Sequence, residues 1–204
     1  CLTRRPERLR LRRAGDEVVS GDLLEPEGLE DIFRGVDRVY YLVHFLDHPG
    51  DFGALEAEAA INFGRAAAGA GVSRIVYLGA LAAGDARSGH LASRQQVGRI
   101  LRASGVPTIE LQASIIIGRG SRSFQMASTL VDRLPVMTTP RWVRTRAQPI
   151  AIEDTLAYLV AALDAPEGTS GVYQIGGADV VSYEGLMREI ARQRGLERGI
   201  IPVP

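Results

Sequence analysis

Lysine is absent. All 24 basic side chains of this 204-residue chain are arginine, set against 24 acidic ones. The absence excludes a Schiff-base lysine and any Tyr–Lys proton-transfer pair. Anion binding stays open, because a guanidinium keeps its charge and grips phosphate through two parallel N–H bonds. Cysteine is nearly absent too, Cys1 being the single one. That excludes a disulfide framework and a cysteine-based zinc site, and a reducing cytoplasm is the expected setting. No apolar run reaches the roughly 18–20 residues of a membrane-spanning helix. The formal net charge is zero, so no overall field draws the chain to nucleic acid or to an anionic membrane. No signal peptide is visible. The chain opens on Cys and closes on IIPVP, which reads as a fragment cut at both ends.

What is present is an alternation of short apolar runs and amphipathic stretches. CLT (1–3), Glu17–Ser20, VDRVYYLVHF (36–45), RIVYLGAL (74–81), PTIELQASIIIG (107–118) and GVYQIGG (171–177) read as strands. The nearly continuous apolar ones suit a parallel sheet covered on both faces. Helices are expected over Pro26–Phe33, 54–69, 90–103, FQMASTLVDRLP (124–135), EDTLAYLVAALD (153–164) and 182–195, the last with Ser182 as its N-cap. Gly35, Gly69 and Gly71 supply stops. Strand and helix alternate with short links, which predicts an α/β domain with a mostly parallel sheet.

Open parallel sheets hold ligands at the carboxyl ends of their strands. The residues just after each strand are therefore the candidates. Arg4 and Arg5 suit a clamp on an adenosine 2′-phosphate, or else form a solvated basic turn. Asp22 suits acceptance from an adenine amino group, or else caps a turn. His44 reads as a wall of the same cleft. His44 and His48 invite a metal reading by their spacing, but Pro49 and Gly50 make that stretch a loop and no third ligand is evident, so no metal is expected. GRG (118–120) suits a phosphate-binding turn, though without the Lys-Ser/Thr of a P-loop. SGHLASRQQVGRIL (88–101) opens like a helix that carries chemistry, with His90, Ser93 and Arg94 near its start.

The order TRRPERL, VVSGDL, an Ala-rich helix with Asn62, RIVYLGAL and the 88–101 helix resembles the extended and atypical short-chain dehydrogenase/reductases, the NmrA-like NAD(P)H-binding branch above all. The stretch IELQASIIIGRGSRSFQMASTLVDRLPVMTTPRWVRTRAQPIAIED (109–154) is similar to one bacterial subgroup, described as NAD(P)H-binding epimerases or reductases with a further C-terminal domain of unknown function. The resemblance implies a Rossmann-like, doubly wound fold: a partial dinucleotide-binding core over 1–118 and a smaller C-terminal subregion over 119–204. It also implies that the family's first strand and Gly-rich turn are missing, because the chain begins at the family's second strand. That turn sets the pyrophosphate against a helix N-terminus, so a protein truly starting at Cys1 should bind a dinucleotide poorly, and a parent that carries the turn should bind it.

Carried over residue by residue, the resemblance assigns Arg4 to the adenosine phosphate and ribose, and Asp22 and Leu23 to the adenine. Leu42, Val43 and His44 would line the cofactor, Gly79 and Ala80 would lie near the nicotinamide ribose, and Ser114 and Ile115 would flank the nicotinamide. The cofactor expected is NAD(P)(H), with NADP favoured through Arg4. The family's Tyr and Lys map onto His90 and Arg94, and its strand-end Ser onto Gly79-Ala80. His90 and Arg94 are thus the candidate catalytic pair, His90 as proton donor and Arg94 fixing a ribose hydroxyl or keeping His90 neutral. In the other reading His90 caps the helix or faces solvent and Arg94 makes a surface ion pair. Three functions remain open: an NAD(P)H-dependent oxidoreductase or epimerase on a small substrate, a sensor that binds the dinucleotide without turnover, and an accessory subunit of a larger assembly.

Overall fold

Apolar runs bounded by glycine and proline generate the observed elements. The computed structural model describes residues 1–9, 13–45, 51–81 and 89–202. In chain order these form β1 (Leu2–Thr3), β2 (Val19–Ser20), α1 (Leu29–Phe33), β3 (Arg38–Tyr41), α2 (Phe52–Gly69), β4 (Arg74–Ala80), α3 (Gly89–Arg102), β5 (Thr108–Ala113), β6 (Ile116–Ile117), α4 (Arg122–Arg133), β7 (Val136–Thr139), β8 (Arg146–Ala147), β9 (Ile150–Ala151), α5 (Ile152–Leu163), β10 (Gly171–Ile175), β11 (Val181–Ser182), α6 (Tyr183–Gln193) and β12 (Gly199–Pro202). His48 and Ser88 lie outside the described residues.

The chain packs as two units, Cys1–Glu110 with Ala162–Tyr173, and Leu111–Ala161 with Gln174–Pro204. Residues 111–118, grouped on the sequence with the dinucleotide-binding core, therefore cluster with the second unit.

The main sheet has the order β10-β5-β4-β3. β3 and β4 run parallel, with Tyr41 opposite Tyr77. β1 and β2 form their own parallel pair, with Thr3 opposite Ser20. Every residue of β4 from Arg74 to Tyr77 is buried, as its unbroken apolar run predicts. Helix α2 packs on α1 and α3. Its inner face carries Glu56, Ala59, Ala60, Phe63 and Ala67, at helical spacing. The aromatic chain Phe33–Phe63–Tyr41–Tyr77 stacks edge to face at 4.9–5.8 Å. Each such buried ring contributes on the order of 1.5–3 kcal/mol. Gly71 ends α2 with a φ of 76°, and Val72 N–H returns to the Ala67 carbonyl at 2.9 Å.

Arg74, only 3% exposed, caps the end of α5. Its guanidinium donates to the carbonyls of Leu163 and Ala165, both at 2.7 Å, and of Pro166 at 2.5 Å. A cation suits the carbonyl end of a helix.

The second unit has its own core, with Ile115, Val131, Met137, Val143, Ile190 and Ile200 all buried. α4 packs on α6. β7 pairs in parallel with β12, β6 in parallel with β9, and β8 antiparallel with β11. Ser121 and Ser182 cap α4 and α6, accepting from the N–H groups of Phe124 and Gly185.

Two strands end earlier than their apolar runs suggest. β3 stops at Tyr41 rather than Phe45, because side chains take the next backbone groups: Arg94 bonds the Val43 carbonyl and Glu56 accepts the Phe45 N–H. The 107–118 run breaks after Ala113, where the Ser114 hydroxyl pairs with Gln148 and the chain moves to β9. At the GRG turn a Cβ on Gly118 would lie 2.6 Å from Ile152, so glycine lets the segment approach α5.

Candidate functional site

The segments that follow two strands of the first unit surround a cavity of about 670 Å³, lined by Thr3, Arg4, Arg5, Arg8, Leu9, His44 and Phe45. β1 delivers Thr3 and the arginines, and the backbone after β3 delivers His44 and Phe45. Arg4 reaches Asp22 at 3.6 Å, and its guanidinium lies 5.7 Å from the centre of the Phe45 ring. Asp22 also accepts the Leu24 N–H at 3.0 Å, which fixes its carboxylate. Leu23 is buried, and its carbonyl accepts from the Asn62 amide at 2.8 Å. Leu42 and Val43 stay exposed, at 53% and 37%.

The start of α3 supplies the second cluster. His90, Ser93, Arg94 and Val97 share one helix face, being three and four residues apart. The Arg94 guanidinium bonds the Leu78 carbonyl at 2.6 Å and the Val43 carbonyl at 3.2 Å, joining the ends of β4 and β3. It also lies over the Tyr77 ring at 5.0 Å, and the Tyr77 hydroxyl donates to the Arg94 carbonyl at 3.0 Å. Burial pushes the Tyr77 phenol up to about 12, so it stays protonated.

Among the described residues, His90 Nδ1 is buried with no hydrogen-bond partner. Burial lowers its pKa below the usual histidine value, the charges of Arg94 and His44 push the same way, and Glu56 opposes them. Ser93 donates its hydroxyl to Glu56, a carboxylate 1% exposed that also accepts the Phe45 N–H at 3.1 Å.

Gly79 faces inward: a Cβ there would lie 2.9 Å from the buried carboxylate of Glu110 and 3.2 Å from Tyr77. Gly98 leaves room for the same carboxylate, which pairs with Arg102. Ala80 is half-buried at the end of β4. Ser114 and Ile115 belong to the second unit, where the Ser114 hydroxyl bonds the Gln148 carbonyl at 2.7 Å and Ile115 is a core residue. Among the described residues, no group of three or more His, Cys, Asp or Glu is placed to hold a metal ion. No described helix is long and apolar enough to cross a membrane.

The structure thus brings together Arg4, His44 and Phe45 around the cavity, with Asp22 paired to Arg4, and sets Arg94 between the ends of β3 and β4 on the helix that carries His90. Sequence reasoning missed Glu56, Tyr77, Arg8 and Phe45. Glu56 did leave a signal, because it occupies the apolar phase of an Ala-rich helix where a carboxylate is costly without donors.

The cationic cavity lies after β1 and β3, where open parallel sheets hold their ligands. The residues fit the adenosine end of a dinucleotide: guanidinium groups complement phosphate, Asp22 can accept from an amino group, and Phe45 offers a ring. A family model described as NAD(P)H-binding matches residues 1–114, more than half of the chain, and the protein belongs to that NAD(P)H-binding family. It is 29% identical, over 95% of its length, to a (4-alkanoyl-5-oxo-2,5-dihydrofuran-3-yl)methyl phosphate reductase of Streptomyces griseus subsp. griseus, and spans 64% of that relative's length. Its fold is similar to that of a nucleoside-diphosphate-sugar epimerase of Staphylococcus aureus, with a TM-score of 0.78 at 18% identity, covering 100% of this chain and 70% of that one. It is also similar to the Bordetella bronchiseptica enzyme WbmG, solved in complex with NAD, with a TM-score of 0.75 at 18% identity over 95% of this chain and 68% of that one.

Proposed function

We propose that the protein is an NAD(P)-dependent oxidoreductase or epimerase-like enzyme that moves a proton through His90 instead of a Tyr–Lys pair. The observation that carries this reading is the buried, partnerless Nδ1 of His90 beside the Arg94 guanidinium. A buried polar atom without a partner is rare, and a substrate oxygen would satisfy it. The reductase relative supports the reaction class.

Arg4, Asp22 and His44 would hold the adenosine end of the cofactor, which when bound supplies or accepts hydride. Arg4 and Arg5 at the cavity favour a 2′-phosphate and hence NADP. Arg94 tethers the start of α3 to both strand ends, and its charge adds to burial in lowering the His90 pKa, which favours the neutral imidazole. A neutral imidazole accepts a proton from a substrate hydroxyl, or returns one to a carbonyl oxygen in the reverse direction.

The test pairs calorimetry with a carbonyl-reduction assay over aldehydes, ketones and butenolide phosphates. Arg4→Ala should weaken NADPH binding about tenfold or more while NADH changes little, the cost of one charge-assisted contact. His90→Gln should keep nucleotide affinity and lose about 100-fold or more in turnover. Equal turnover in His90→Gln would remove His90 from the chemistry.

A second reading, binding without turnover, is favoured by Arg94 itself. Its guanidinium is committed to two backbone carbonyls and an aromatic ring. Tight nucleotide binding with no reduction of any tested carbonyl would select this reading.

A further inference from the structure

Glu56 is a buried carboxylate near the cleft that the proposed chemistry does not use. It sits in the second turn of α2 at 1% exposure, flanked on its face by Ala59 and Ala60. Among the described residues no ion pair reaches it. A buried carboxylate without a cation persists only when hydrogen-bond donors replace its water. Among the described residues two such donors reach Glu56: the Phe45 backbone N–H, at the end of the stretch that leaves β3, and the Ser93 hydroxyl, on α3 three residues after His90.

We propose that Glu56 is the positioning residue of the site, a single carboxylate that ties the nucleotide-facing backbone at His44–Phe45 to the helix turn carrying His90. Both ends of the tie border functional ground. His44 and Phe45 line the cationic cavity, and Arg94, next to Ser93, bonds the Val43 carbonyl two residues before Phe45. The stretch 43–45 is therefore fixed to α3 twice, by Arg94 through the Val43 carbonyl and by Glu56 through Ser93. A nucleotide that orders 43–45 would in this way also order the His90 turn, coupling occupancy to the proton-carrying group.

The charge of Glu56 has a second consequence. His90 feels Arg94 from its own helix, Glu56 from α2 and His44 from the stretch after β3. Of these only Glu56 favours the imidazolium, opposing burial and the Arg94 charge, which push the His90 pKa down.

This inference rests on His90 being the titrating group of the cleft, and its test does not need turnover. The chain has three histidines, so the imidazole signals can be followed by NMR across pH and the His90 signal assigned from His90→Gln. Glu56→Gln keeps the shape and removes the charge, and should lower the His90 titration midpoint. Glu56→Asp keeps the charge and should move the midpoint back toward wild type. Should Glu56→Gln fail to fold, Ser93→Ala carries the test: amides of Gly89–Arg94 should exchange about tenfold faster, the loss of one hydrogen bond to a charged group, and NADPH should no longer slow them. An unmoved His90 midpoint in Glu56→Gln, or unchanged exchange in Ser93→Ala, would overturn the inference. An inactive wild type with the expected shift would sink the oxidoreductase reading and leave this one standing.

Discussion

At the scale of single residues, His90 links site chemistry to stability. Its pKa in the folded protein is lowered from the ordinary 6.5, first by burial and then by Arg94 and His44. The folded protein therefore binds fewer protons than the unfolded chain in the window between the lowered value and 6.5. Stability rises with pH wherever the unfolded state holds more protons. The contribution is fully present above pH 6.5 and is lost as pH falls through the lower folded value. Thermal melts from pH 8 down to 5 should show wild type losing stability faster than His90→Gln, with the two curves parallel above pH 7. Parallel curves throughout would mean that His90 titrates as a free imidazole. The same lowered value should place the acid limb of an alcohol-oxidation profile below pH 6.5, because only neutral imidazole accepts the proton.

At the scale of elements, β4 shows both what the chain's pattern reveals and what it hides. The strand, its burial and the stop of α2 at Gly71 are legible in RIVYLGAL and its flanks, because unbroken apolar runs and glycines act locally. The ends of β3 and β5 are not legible, since they depend on Arg94, Glu56 and Gln148, which meet those strands only in the folded chain. Gly79 is similar. It marks a strand end in the sequence, yet its small size answers to Glu110 from β5. The Arg4–Asp22 contact was likewise hidden, although each residue was a candidate for its place after a strand. Arg74 offers the clearest test at this scale. It reads as a charged residue opening an apolar strand, but its buried guanidinium satisfies the carbonyls that close α5 and start the following turn. Arg74→Leu keeps the packing and orphans those carbonyls, so it should cost about 3 kcal/mol or more. Urea melts would read the loss, and a change below about 1 kcal/mol would show that water takes over the cap.

At the scale of the molecule, the two units divide the expected cofactor residues unequally. Arg4, Asp22, Leu23, Leu42, Val43, His44, Gly79 and Ala80 lie in the first unit, together with His90 and Arg94, whereas Ser114 and Ile115 lie in the second. Each unit has its own core, so a ligand held by one need not stabilise the other. A ligand that binds only the native state stabilises it by mass action, and local openings are suppressed where it makes contact. Hydrogen exchange with and without saturating NADPH separates the possibilities. Slowed exchange is expected at Thr3–Arg5, Gly21–Leu24 and Leu42–Phe45, extending to Gly89–Arg94 if the Glu56 tie transmits order. Slowed exchange at Ser114–Ile117 would bring the second unit into the cofactor site and give Ser114 the nicotinamide role that the resemblance assigns it. Protection confined to the first unit would instead leave Ser114 as the partner of Gln148, a structural hydroxyl whose removal should leave NADPH affinity unchanged. Protection in neither unit at saturating NADPH would remove the dinucleotide from these strand ends altogether.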